Sequence, residues 1–130
     1  MTDWTSDELD AIAAEDELEI ASIGEDGAVG SFTTIWVVRI GNDLFVRPVY
    51  GPRSGWFRGT QVRHEGSIRS GGVEKDVTFV DIGDGDGDLA GRIDEAYHSK
   101  YDGRYPPQYI DDVLTPKARS VTLKLVPRDS

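Results

Sequence analysis

The run Phe32-Thr33-Thr34-Ile35-Trp36-Val37-Val38-Arg39-Ile40, the turn Gly41-Asn42-Asp43 and the return Leu44-Phe45-Val46-Arg47-Pro48-Val49 decide the fold. β-Branched and aromatic residues dominate both runs, a composition that suits a pleated, half-buried surface. A tight polar turn between two such runs is a hairpin signal. Upstream, Leu18 to Ile23 alternates apolar with small or polar residues and ends at Glu25-Asp26-Gly27, a further turn. Three strands in series with short turns predict an antiparallel meander.

The outer segments extend this pattern. Thr5 and Glu8 fit a capping box, and Leu9, Ile12 and Ala13 follow at helical spacing, so a helix is expected over about residues 6–15. Gly51-Pro52 stops the third strand, and Ser54 is placed to cap a short helix over about residues 55–64, which Gly59 weakens. Ser67 to Ser70 and Val73 to Ile82 flank Gly71-Gly72, a second hairpin. After a polar loop, Leu89, Ile93, Ala96, Tyr97 and Tyr101 share one face of a helix that Asp88 can cap. Pro106-Pro107 opens a short helix in which Tyr109, Ile110, Val113 and Leu114 share a face. Val121, Leu123 and Leu125 then alternate with polar residues as a last strand. The order α-β-β-β-α-β-β-α-α-β predicts an α+β fold: a six-stranded antiparallel split β-barrel with flanking short helices, one domain over residues 1–130.

Composition narrows the function. The 130 residues contain 24 acidic and 14 basic side chains, a net charge of −10. That charge repels nucleic acid and anionic membranes, so neither is an expected partner. No run is long enough to span a bilayer, and the first residues lack a cationic start and an apolar core, so no signal peptide is expected. The absence of cysteine rules out disulfides, thiol nucleophiles and thiolate metal sites, and suits the cytoplasm. The acidity itself reads either as solubilising surface or as adaptation to a salty interior.

The charges are uneven. Arg47, Arg53, Arg58, Arg63, Arg69 and Lys75 stand against only Glu65 and Glu74 in their stretch. A cationic patch on an acidic chain suggests a small anionic, aromatic ligand; the plainer reading is solvated or locally paired arginines. Within the patch, Arg47, Arg53 and Ser54 are candidates for holding phosphate at the start of a helix. Tyr50 and Trp56 are candidate walls for an aromatic ring, with Arg58 following on the same helix. Phe57 reads as an anchor to the barrel. His64 and His98 lack metal-ligand spacing and read as structural or solvated. No hydrolase elbow, P-loop or dinucleotide fingerprint is present, and no metal site is expected. One alternative is calcium binding through Asp84, Asp86, Asp88 and Glu95, which have the acidic spacing of an EF-hand loop. Leu89 stands where that loop needs glycine, so a solvated loop is the favoured reading.

The motifs Ile35-Trp36-Val37-Val38-Arg39, Gly51-Pro52-Arg53, Trp56-Phe57-Arg58-Gly59 and Gly72-Val73-Glu74-Lys75-Asp76-Val77 carry a family resemblance. From Ser22 to Pro127 the chain resembles an uncharacterised bacterial and archaeal split-barrel family. That family is related to the deazaflavin-dependent nitroreductases and, more widely, to the FMN-binding split barrels. The resemblance implies FMN or a 5-deazaflavin laid in a groove, its phosphate held by the central loop, in an oxidoreductase-like homodimer of unknown substrate. Thr33, Thr34 and Arg39 would line that groove from the neighbouring strand. The related proteins carry basic residues in the first hairpin turn, where this chain has Glu25-Asp26. That departure motivates a second reading, a non-redox module that binds another small ligand on the same barrel with no flavin.

Overall fold

The computed structural model describes residues 3–83 and 88–128. Among the described residues, seven strands form a single antiparallel sheet: β1 (Glu17–Ser22), β2 (Thr33–Trp36), β3 (Val38–Ile40), β4 (Asp43–Val46), β5 (Glu65–Ser70), β6 (Val73–Asp81) and β7 (Leu123–Pro127), in the order β2-β1-β5-β6-β7-β4-β3. The two edge strands are neighbours in the chain, separated only by Val37. The sheet therefore curls until its ends meet, which is the geometry of a split barrel.

That seam corrects the expected strand count. The single run 32–40 is two strands: β2 pairs with β1, placing Thr33 opposite Ile20 and Trp36 opposite Glu17, and β3 pairs with β4. Val37 turns the corner between them. Its N–H donates to the Tyr101 hydroxyl (3.2 Å), and its carbonyl accepts from Lys100 Nζ (2.8 Å). Both partners come from the helix α3 (Leu89–Tyr101). The backbone groups that leave the ladder are thus satisfied by side chains, as buried groups must be.

The core is divided by the sheet. Inside the barrel lie Leu18, Ile20, Val37, Leu44, Val46, Ile68, Val77, Phe79, Leu123 and Leu125. Outside it, Val38 and Phe45 pack with Ile93, Tyr97 and Tyr101 of α3 and with Ile110 and Val113. β4 is consequently buried on both faces, which explains its unbroken apolar run Leu44-Phe45-Val46.

The helix α1 (Ser6–Ala13) plugs one end with Leu9 and Ile12, and its capping box is formed by Thr5 and Glu8. Trp4 joins that plug by donating its indole N–H to the Leu125 carbonyl (3.0 Å). The helix α2 (Gly55–Arg63) lies against β1, where a side chain on Gly59 would meet Ser22 Oγ at 2.3 Å. That close approach is why a helix accepts this glycine. Phe57 anchors α2 in the barrel core, as expected. Two elements were not foreseen: a 3₁₀ turn at Gly51–Arg53, and the four-residue helix α5 (Pro116–Arg119) that follows α4 (Pro107–Asp112). Asp88 makes no side-chain cap bond to α3, and Asp84 and Asp86 of the calcium reading lie outside the described residues. No helix among the described residues is long and apolar enough to cross a membrane.

Candidate functional site

After β4 the chain leaves the sheet through Arg47-Pro48-Val49-Tyr50, closes the 3₁₀ turn and enters α2. Gly51 takes φ +65°, and the turn is held by Gly51 N–H to Pro48 O and Ser54 N–H to Gly51 O, each 3.0 Å. This path borders an open cavity of about 500 Å³. Thr33, Thr34 and Trp36 of β2 form one wall, and Val49, Tyr50, Ser54 and Trp56 form the second. The third wall comes from Tyr105, Tyr109, Asp112 and Val113 in and around α4, with Arg47 contributing at the back. Trp56 also borders a smaller cavity of about 330 Å³ beside Ser22, Ser31 and Gly55.

The structure thus brings Thr33, Thr34, Arg47, Tyr50, Ser54 and Trp56 together around one cavity and leaves Arg39, Arg53 and Arg58 outside its lining. Arg39 pairs with Asp10 at 2.8 Å and donates to the Gly41 carbonyl, tying α1 to the β3–β4 turn. Arg53 and Arg58 are exposed and form no ion pair among the described residues. Neither histidine lines the cavity. His64 lies 2.8 Å from Asp81, and His98 3.1 Å from Asp102, both at the surface.

Arg47 has a particular environment. Its guanidinium is fully buried; Nε donates to Thr122 Oγ1 (3.0 Å), Nη1 to Asp94 Oδ1 (2.5 Å) and to the Val113 carbonyl (3.1 Å), and Nη2 to the Ala90 carbonyl (3.3 Å). One side chain therefore ties the end of β4 to α3, to the end of α4 and to the approach to β7. The other oxygen of Asp94 receives Arg119 at 3.3 Å. The positive charge of Arg47 is spent inside the protein.

Ser54 is the converse. It is 5% exposed and lines the cavity, yet its hydroxyl makes no cap bond to α2. The expected capping role is not realised, although Ser54 has the extended backbone (φ −59°, ψ 131°) that a cap residue takes. With no cap bond to make, the hydroxyl of this cavity-lining serine is available to a ligand.

The aromatic residues are organised as well. Trp36 stacks on Tyr101 (centroids 3.9 Å apart, planes within 7°) and meets Tyr105 at 5.0 Å. The Tyr105 hydroxyl donates to Asp16 Oδ2 (3.0 Å), and Asp16 is paired with Arg104. That hydrogen bond to a carboxylate raises the Tyr105 phenol above its ordinary range. Tyr50, 71% exposed, and Tyr109, 52% exposed, stand at the mouth. The acidic turn lies to one side: a side chain on Gly27 would start 3.4 Å from Arg63 Nη1, so Arg63 is beside that turn.

The third wall escaped the sequence reading. Tyr109 and Val113 register there only as apolar positions of a short helix, and Tyr105 and Asp112 carry no motif. The spacing of Tyr105 and Tyr109, four residues apart on either side of Pro106-Pro107, is the one available signal. Trp36 carries the resemblance but no ligand role. Among the described residues that line it, the cavity has no nucleophile–base pair; these residues can bind, orient and exclude water around a planar group, and redox chemistry would have to come with that group.

A curled antiparallel sheet with an aromatic cavity between its seam and its helices defines this molecule as a split-barrel protein. It belongs to the family described as "Uncharacterized protein conserved in bacteria (DUF2255)", which it matches over residues 8–125. No functionally curated protein matches the chain in sequence. Among solved structures, it resembles a conserved hypothetical protein from Mycobacterium tuberculosis (16% identity, TM-score 0.68, 97% of this chain and 82% of that one). It also resembles the heme storage protein HutZ from Vibrio cholerae (12% identity, TM-score 0.68, 99% and 93%). A FAD-binding protein from Mesorhizobium loti shares the fold at 14% identity (TM-score 0.58, 98% and 93%). Identities this low speak to the fold alone.

Proposed function

We propose that the chain binds a flavin or 5-deazaflavin ring in the aromatic cavity and acts as an oxidoreductase-like protein. One observation carries this reading: Trp36, Tyr50, Trp56, Tyr105 and Tyr109 line about 500 Å³ together with Ser54, whose hydroxyl is not used as a helix cap. Flat aromatic walls favour a flat aromatic guest, and one oriented hydroxyl gives it a register. The fold relatives that bind FAD or store heme hold large planar rings, which agrees with this size and shape. The ring supplies the electron transfer when bound. The chain's own part is to stack the ring between Tyr50 and Trp56, to set its edge against Ser54, Thr33 and Thr34, and to shield its inner face with Trp36 and Tyr105. Arg53 stands just beyond Tyr50, where an anionic arm would leave the cavity.

Titration of purified protein with FMN and with a 5-deazaflavin, read by cofactor fluorescence and by quenching of Trp36 and Trp56, tests the proposal. Saturable binding with a Kd below roughly 50 µM supports it, and its absence for both ligands overturns it. Visible absorbance of the freshly purified protein gives the same answer for a cofactor that co-purifies.

A second reading is favoured by the carboxylates: Asp112 faces the cavity, while the Arg47 charge is neutralised by Asp94. On that reading the barrel is a non-redox module for a neutral or cationic aromatic molecule. A melting shift with such compounds and none with flavins would select it.

A further inference from the structure

With Arg47 engaged inside the protein, the charge that meets an anionic ligand must come from elsewhere. The chain has 24 acidic side chains for 14 basic ones, and eight of the basic ones are held in ion pairs among the described residues. Arg53, Arg58, Arg63 and Lys117 form no ion pair among the described residues, and all stand on the 3₁₀ turn, on α2 or on α5. The 3₁₀ turn packs against both of those helices.

Lys117 is the member that the sequence does not single out. It belongs to α5, a single turn that is held firmly in place. Thr115 Oγ1 caps it by accepting from Ala118 N–H (3.2 Å), Ala118 is fully buried, and Arg119 reaches Asp94 at 3.3 Å. Asp94 is the carboxylate that also holds Arg47, so α5 is locked to the back of the cavity. From this anchored turn the Lys117 stem runs across the bare Cα of Gly51. A Cβ on Gly51 would lie 3.0, 3.1 and 3.3 Å from Lys117 Cβ, Cγ and Cδ. The stem is thereby laid along the loop that places Tyr50 and Ser54 at the cavity, and Nζ is two bonds further on.

We propose that Lys117, together with Arg53, binds the phosphate of the ligand's arm where it leaves the aromatic cavity past Tyr50. This rests on the ring-binding reading above and adds its anionic subsite. A lysine acts there as a point charge whose apolar stem is already ordered by packing on the loop, so less side-chain freedom is lost on binding. Gly51 serves the same end twice: its φ of +65° forms the turn, and its missing side chain leaves room for the lysine stem.

The test compares FMN with riboflavin, which share a ring and differ by the phosphate. Both are titrated into wild type, Lys117→Gln, Arg53→Gln and Arg92→Gln, the last removing a cation on α3 that forms no ion pair among the described residues, as a control. Melting temperatures establish that each variant is folded. Wild type is expected to prefer FMN by about tenfold, with the preference shrinking as salt is added. Lys117→Gln should remove most of that preference, Arg53→Gln part of it, and Arg92→Gln none. Equal binding of FMN and riboflavin by wild type, or a full FMN preference kept by Lys117→Gln, overturns the subsite and leaves the ring reading standing. Failure of both flavins to bind overturns both.

Discussion

Arg47 and Ser54 are adjacent to the same cavity and have exchanged the roles their types suggest. An arginine at the end of a strand beside a glycine-rich loop reads as a phosphate ligand; here it is a buried cross-link. Removing one partner of a buried charge pair is costly because the other is left without compensation. Arg47→Met should therefore lower stability by about 3 kcal/mol, seen as a lower urea midpoint, since Asp94, Thr122 and two carbonyls lose their donor. Serine at a helix start normally contributes about 1 kcal/mol through its cap. Because Ser54 makes no cap bond, Ser54→Ala should change stability by less than about 0.5 kcal/mol while weakening flavin binding. A stable Arg47→Met protein that merely binds ligand less well would return Arg47 to the role its type suggests.

At the scale of elements, the run from Phe32 to Ile40 shows what local pattern can and cannot tell. Its β character follows from its residue types, and its division follows from the closure of the barrel. Val37 and Val38 are both buried, one facing the barrel and the other the helices, so no polar break marks the corner. The groups that stabilise it lie 63 and 64 residues further along the chain. Lys100 is the informative one. Burial lowers its ammonium from 10.5 to about 8 in the folded protein. Between these values the unfolded chain holds the proton and the folded chain has released it, so stability from this group rises with pH. Wild type measured against Lys100→Met should gain in relative stability from about pH 8 to pH 10.5 and show no such trend from pH 6 to pH 7.5. A flat difference across the whole range would mean that the ammonium is solvated.

For the molecule as a whole, the balance reverses at higher pH. Burial raises the Tyr97 and Tyr101 phenols above the ordinary 10.0, so the stability they contribute is intact below that value and is lost as pH climbs past it. Two buried phenols outweigh one ammonium, and the net charge of −10 at neutral pH grows more negative as bases are neutralised. Alkaline unfolding should accordingly be cooperative. Phenolate absorbance from the buried pair is expected to appear together with the loss of far-UV circular dichroism rather than ahead of it. Gradual ionisation of all five tyrosines in a protein that stays folded would contradict this.

The sequence by itself determined the α+β class, the capping box of α1, the hairpins at Gly41 and Gly71-Gly72, the anchoring of Phe57 and the loop that borders the cavity. Each of these rests on neighbours within a few residues: a turn that needs glycine, a helix start that needs a hydroxyl, an alternation that needs one buried face. Only the tertiary structure decided that β2 and β3 are separate strands, that Arg47 is enclosed while Lys117 lies along the loop, and that Tyr105 and Tyr109 complete the cavity. Those outcomes depend on partners brought together from distant parts of the chain, where the identity of a side chain reveals its chemistry but not which charge or ring it will meet.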